Sequence, residues 1–129
     1  HVEGKWSVGQ MRKPDGRMAR WLVCVDTPSL DQTRVEFFPD ETTGEPRFVR
    51  DRLTMTHLQT MALLVALALP LGTAEPQQVC VLGGGGMALP MVLLHGCPTL
   101  ELLVVELDGV VIDLAQRFFG ARDSRLTTV

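Results

Sequence analysis

The sequence has no surplus of positive charge: twelve Lys and Arg stand against fifteen Asp and Glu, a net charge of −3. A phosphate backbone or an anionic lipid surface is held by a basic field, so nucleic acid and membrane surface are not the expected partners. Cysteine is scarce. Cys24, Cys80 and Cys97 are an odd number with neither CxxC nor metal-ligand spacing, which excludes a secreted disulfide scaffold and reads as free buried thiols in a reducing, cytoplasmic compartment. A bilayer-spanning run is also missing. The most apolar stretch, Met61 to Leu71, is about half the roughly 20 residues a hydrocarbon core needs, and Pro70, Gly72, Glu75 and Pro76 close it off. Its mid-chain position excludes a signal peptide. Without repeats or low-complexity tracts, the 129 residues, 46% of them hydrophobic and 21% charged, have room for one compact core.

Charge and rhythm divide the chain. Residues 1 to 57 carry nine basic and nine acidic side chains, while residues 58 to 129 carry three and six along with most of the aliphatic content. In the first part, Lys13-Pro14-Asp15-Gly16 fits a type I turn between strand-like Lys5 to Val8 and Met18 to Asp26. Residues 39 to 46, rich in Pro, Asp, Thr and Gly, separate Thr33 to Phe38 from Arg47 to Arg50. The expectation is a small antiparallel β-hairpin region over residues 1–50.

The second part alternates helix-like and strand-like segments, the pattern of a parallel α/β sheet. Leu53 to Leu69 reads as a helix buried against a sheet, and Val79 to Leu82 as a short strand buried on both faces. Met87 to His95 is the next helix, with Pro90 in its first turn, where a missing N–H has no partner to lose. Leu100 to Glu106 is a second buried strand, Val110 to Phe119 a helix stopped by Gly120, and Leu126 to Val129 a third strand.

Four glycines, Gly83 to Gly86, join the first of these strands to its helix. They permit a tight turn, let a ligand approach the backbone, and leave helix N-terminal N–H groups for an electronegative group. A carboxylate 23 residues after Gly83, Glu106, closes the next strand, about the interval at which an acid reaches ribose hydroxyls. Glycines in this pattern also match dinucleotide binders, so they do not by themselves separate NAD from S-adenosylmethionine. A plain turn, a solvated Glu106, and an Asp108 that caps the following helix stay open as structural alternatives.

The runs VCVLGGGGMALPMVLL and LELLVVELDGVVIDLAQRFFG and the tail DSRLTTV resemble the first half of the spermidine-synthase-like branch of Rossmann-type S-adenosylmethionine-dependent methyltransferases. The nearest pattern is the C-terminal domain of the methyltransferase-like protein 13 group. The Leu89-Pro90 pair and Val105-Glu106-Leu107-Asp108 carry the likeness, which extends from about residue 50 to 129. It implies a partial Rossmann-like domain over 51–129. It also implies S-adenosyl-L-methionine as cofactor, bound by Gly83, Gly84, Gly85, Gly86, Met87, Glu106, Leu107 and Asp108. Within that set Gly83, Gly85 and Gly86 would hold the methionine end, Glu106 the ribose, and Asp108 would sit by the adenosine.

Polyamine synthases of the branch have an Asp where Gly86 stands, so methyl transfer is expected over aminopropyl transfer. A non-catalytic nucleoside-binding or interaction module is the alternative from another class. The resemblance implies a protein substrate, a translation elongation factor. It also implies acceptor-side residues beyond Val129, so no catalytic residue is assigned, and the chain reads as a fragment whose Val79 to Leu82 edge is unpaired and open to self-association.

Other candidates are weaker. His57 and His95 lack ligand-spaced neighbours, so no metal site is expected. Ser7, Ser29 and Ser124 lie in no nucleophile context, and Cys80 reads as an inert thiol inside a buried strand. Arg12, Lys13, Arg17 and Arg20 read as a solvated basic face, with a docking patch for an acidic protein as the sharper alternative. Met55, Met61 and Met87 read as filler, Met87 also as a residue that could pack on the ligand.

Overall fold

A computed structural model of the chain describes residues 1–70 and 74–129. Leu71 and Gly72, read above as the end of the apolar run and one of its breakers, lie outside the described residues. Two sheets organise the chain. Strands β1 (Val2–Glu3), β2 (Trp6–Arg12), β3 (Met18–Cys24), β4 (Asp31–Pro39) and β5 (Pro46–Phe48) form an antiparallel sheet in chain order. The Lys13 to Gly16 turn closes where expected, the Gly16 amide donating to the Lys13 carbonyl at 3.1 Å. In the second turn segment the Asp40 side chain accepts from the Thr42 and Thr43 amides, a local bond that replaces strand pairing.

Helix α1 (Thr56–Ala68) leads to β6 (Gln77–Leu82), α2 (Ala88–Gly96), β7 (Leu100–Val105), α3 (Gly109–Phe118) and β8 (Leu126–Thr128). The last three strands pair in parallel in the order β6-β7-β8. This is the expected α/β architecture, a partial Rossmann-like sheet preceded by antiparallel hairpins. Pro90 lies in the first turn of α2, and Gly120, at φ +64°, follows the end of α3 in the left-handed conformation that suits a C-terminal stop.

One apolar cluster runs through both parts. Val8, Leu22 and Val35 of the antiparallel sheet share it with Val81, Leu94, Leu102, Leu114 and Phe119. The C-terminus of α3 is also gripped from the first part: Arg50 donates to the Phe119 and Gly120 carbonyls at 3.0 and 2.9 Å, and Arg20 donates to that of Phe118. Cations at this end oppose the negative pole of the helix dipole. Burial pushes the Arg50 guanidinium down to about 10, so it is still charged at neutral pH.

Burial corrects three expectations. β6 and β7 are buried on one face only: Val81, Leu100, Leu102 and Val104 point into the core, whereas Cys80, Leu82, Leu103 and Val105 point out. Near-continuous apolar runs signal two covered faces where helices pack on both sides of a parallel sheet, but among the described residues only one side is covered. Cys80 is therefore exposed, and Cys24 and Cys97 are half-buried rather than buried. Helix α1 has no buried residue; Leu58, Ala62 and Val65 touch the core while Leu63, Leu64 and Leu67 face outward. As expected, β6 pairs on one side only among the described residues, with β7. None of the helices among the described residues is long and apolar enough to cross a membrane.

Of the basic cluster, Arg12 is exposed, whereas the other three are engaged within the chain. Lys13 and Arg17 both pair with the buried carboxylate of Glu36, Arg17 also binds Asp15, and Arg20 is committed to Gln10 and the end of α3.

Candidate functional site

The loop after β6 continues the strand ladder for one more residue, the Gly83 amide donating to the Val105 carbonyl at 2.8 Å, and then turns sharply into α2. Gly85 has φ +51°, and a Cβ built there would lie 2.7 Å from Thr33 Oγ1. A Cβ on Gly86 would lie 2.7 Å from Thr33 Cγ2 and 3.0 Å from the Phe119 ring. The glycines are thus required by close contact beneath the loop as well as by its turn. Gly86→Ala is expected to destabilise the fold by about 1–3 kcal/mol, the usual cost of overpacking a filled site. Urea unfolding would check it, and a loss under about 0.5 kcal/mol would show that Thr33 and Phe119 give way freely.

The carboxylate closing β7 turns back onto this loop. Glu106 Oε2 accepts from the Gly84 and Gly85 amides at 2.8 and 3.2 Å, and Oε1 accepts from the Asp108 amide at 3.2 Å. The remaining loop amide, on Gly86, donates to Thr33 Oγ1 at 2.8 Å. Asp108 caps α3, one oxygen accepting from the Val110 amide at 3.0 Å and the other from the Trp6 indole N–H at 2.8 Å. Those bonds, Trp6 first, hold its carboxyl below the usual carboxylate range. Of the two roles open for Asp108, the structure shows the cap.

A cavity of about 380 Å³ lies over the loop, lined among others by Trp6, Thr33, His57, Leu58, Gly84 and Glu106. It sits at the carboxyl ends of β6 and β7, where open α/β sheets bind ligands, and its size suits a nucleoside-sized molecule. A larger hollow of about 550 Å³ lies against the bare sheet face around Cys80 and Leu103, away from the loop, whereas the loop and the carboxylate converge on the smaller one.

Of the expected site residues, Gly83, Gly84, Gly85 and Glu106 line the cavity. Gly86 lies below it, bonded to Thr33. The Met87 side chain is fully buried and fills the space under Gly84, so it supports the loop from below. Leu107 is fully exposed, and Asp108 is tied to α3 and Trp6. Sequence reasoning missed Trp6, Gln32, Thr33 and Leu58 and set His57 aside. No local motif marks them, because β2, β4 and α1 bring them in from far along the chain.

Sheet order, glycine turn and inward carboxylate define a partial Rossmann-like unit. No family model matches the chain. Over 149 aligned positions it is 32% identical to the eEF1A lysine and N-terminal methyltransferase of Danio rerio, covering 97% of this chain and 22% of that protein. A probable spermidine synthase from Corynebacterium glutamicum superposes with a TM-score of 0.66 at 13% identity, over 95% of this chain and 40% of that one. The chain is thus similar in sequence to part of a protein methyltransferase and in fold to part of a probable spermidine synthase. It spans about a fifth of the length of the curated relative it matches.

Proposed function

We propose that this chain is the donor-binding part of an S-adenosylmethionine-dependent methyltransferase that acts on a protein amine in the cytoplasm. The observation that carries this reading is Glu106, which braces the glycine loop while lining the cavity above it. A carboxylate has about four lone-pair sites, and three are used by the amides of Gly84, Gly85 and Asp108. The free site, with the longer Gly85 bond available for exchange, suits the two hydroxyls of a ribose.

The same geometry favours an adenosyl ligand over a dinucleotide. A pyrophosphate needs free loop amides, yet those of Gly84 and Gly85 are taken by a negative charge and that of Gly86 by Thr33. A phosphate there would meet like charge in a partly desolvated setting. Methyl transfer itself requires chiefly alignment of an unprotonated acceptor with the donor methyl. The relative's name supplies the acceptor class we favour, the elongation factor eEF1A or a similar protein.

Calorimetry on the full chain tests the reading. S-adenosylhomocysteine is expected to bind at least tenfold more tightly than NAD, about 1.4 kcal/mol. A preference for decarboxylated S-adenosylmethionine would replace methyl by aminopropyl transfer. Silence toward every adenosyl ligand would favour an interaction module.

A further inference from the structure

We propose that Thr33, on β4 of the antiparallel sheet, is a positioning residue for the donor loop; this rests on the donor-binding reading above. Thr33 lies 53 residues before Gly86 and is only 2% exposed. Its hydroxyl has one proton, which it donates to the Gln32 carbonyl at 2.8 Å. With the proton so placed, the oxygen is left as an acceptor, and the Gly86 amide donates to it at 2.8 Å. The rotor is set by one bond to serve the other.

The backbone of β4 is shaped for this. Leu22 pairs with Thr33 and Val23 with Asp31, so Gln32 is the extra residue of a β-bulge. Bulges re-aim side chains and free backbone groups from the ladder. Here the bulged residue supplies the carbonyl that orients the Thr33 hydroxyl, and it also lines the cavity. The methyl group of Thr33 packs where a Cβ on Gly86 would fall, so hydroxyl and methyl together seat the loop.

Thr33 matters most when a donor arrives. Glu106 keeps its shorter bond to Gly84, but it holds Gly85 only until a ribose hydroxyl competes for that lone pair. The Thr33 bond involves no cavity-facing carboxylate, so it keeps the entry to α2 in place during that exchange. The antiparallel sheet is on this account part of the donor site.

The test compares wild type, Thr33→Val and Thr33→Ser by S-adenosylhomocysteine calorimetry and by Gly86 amide exchange in the ligand-free protein. Thr33→Val keeps the shape and loses the acceptor; it is expected to weaken binding at least fivefold and speed Gly86 exchange at least tenfold. Thr33→Ser keeps the hydroxyl and should stay within about twofold of wild type on both. Unchanged Gly86 exchange in Thr33→Val overturns the proposal, as does equal weakening by both variants, which would assign the role to packing. Should Thr33→Val not fold, Gly86 protection in Thr33→Ser decides: retained protection supports the tether and lost protection overturns it. A wild-type chain that does not bind the ligand overturns the donor reading itself, a result distinct from any change at Gly86.

Discussion

Glu106→Ala is expected to weaken S-adenosylhomocysteine binding at least tenfold, about 1.4 kcal/mol. Hydrogen bonds to a charged group contribute about 1.5–3 kcal/mol each, so losing one of two ribose contacts already reaches that figure. The truncation also leaves the Gly84 and Gly85 amides without their acceptor, so part of the loss reflects a slack loop. Glu106→Gln separates the two contributions. Its carbonyl oxygen can still accept from Gly84, while charge and half of the acceptor capacity are gone. Near-native stability with weakened binding in Glu106→Gln would place the charge at the ribose. Affinity unchanged in both variants would remove Glu106 from the ligand and leave it as a loop brace.

Local chemistry made much of this architecture readable in advance. The Lys13 to Gly16 turn, Pro90 in the first turn of α2 and Gly120 after α3 are each dictated by residues adjacent in sequence, and each lies where its backbone requirement predicts. The glycine turn and Glu106 were legible because 23 residues of strand and helix bring them together by a repeated geometry. Burial was not legible in the same way. The apolar content of Val79 to Leu82 cannot say whether a second layer covers the sheet, and Cys80 and Leu82, the latter 80% exposed, lie on the uncovered face. The floor and wall of the cavity escaped for another reason. Trp6 reaches Asp108 across 102 positions and Thr33 reaches Gly86 across 53, contacts set by how the two sheets pack rather than by any periodicity.

That packing has a center, and removing it should cost more than any other substitution considered above. Phe119→Ala is expected to destabilise the chain by about 3–5 kcal/mol, a large part of the roughly 5–15 kcal/mol that holds a typical domain folded. Phe119 is fully buried and first among the large enclosed side chains. It ends α3, its amide donating to the Ala115 carbonyl at 3.0 Å and its own carbonyl accepting from Arg50 of the first part of the chain. Its ring lies beneath Gly86, 3.0 Å from where a Cβ would be. Truncation opens a cavity at the joint of helix, antiparallel sheet and glycine loop, and the fixed ends of α3 limit how far neighbours can collapse into it. Urea unfolding should show a lower midpoint with an unchanged slope, and Gly86 amide exchange should speed up in the folded state. A loss under about 1.5 kcal/mol would mean that the surroundings close over the gap, and that Arg20, Arg50 and Thr33 hold the two parts together without the ring.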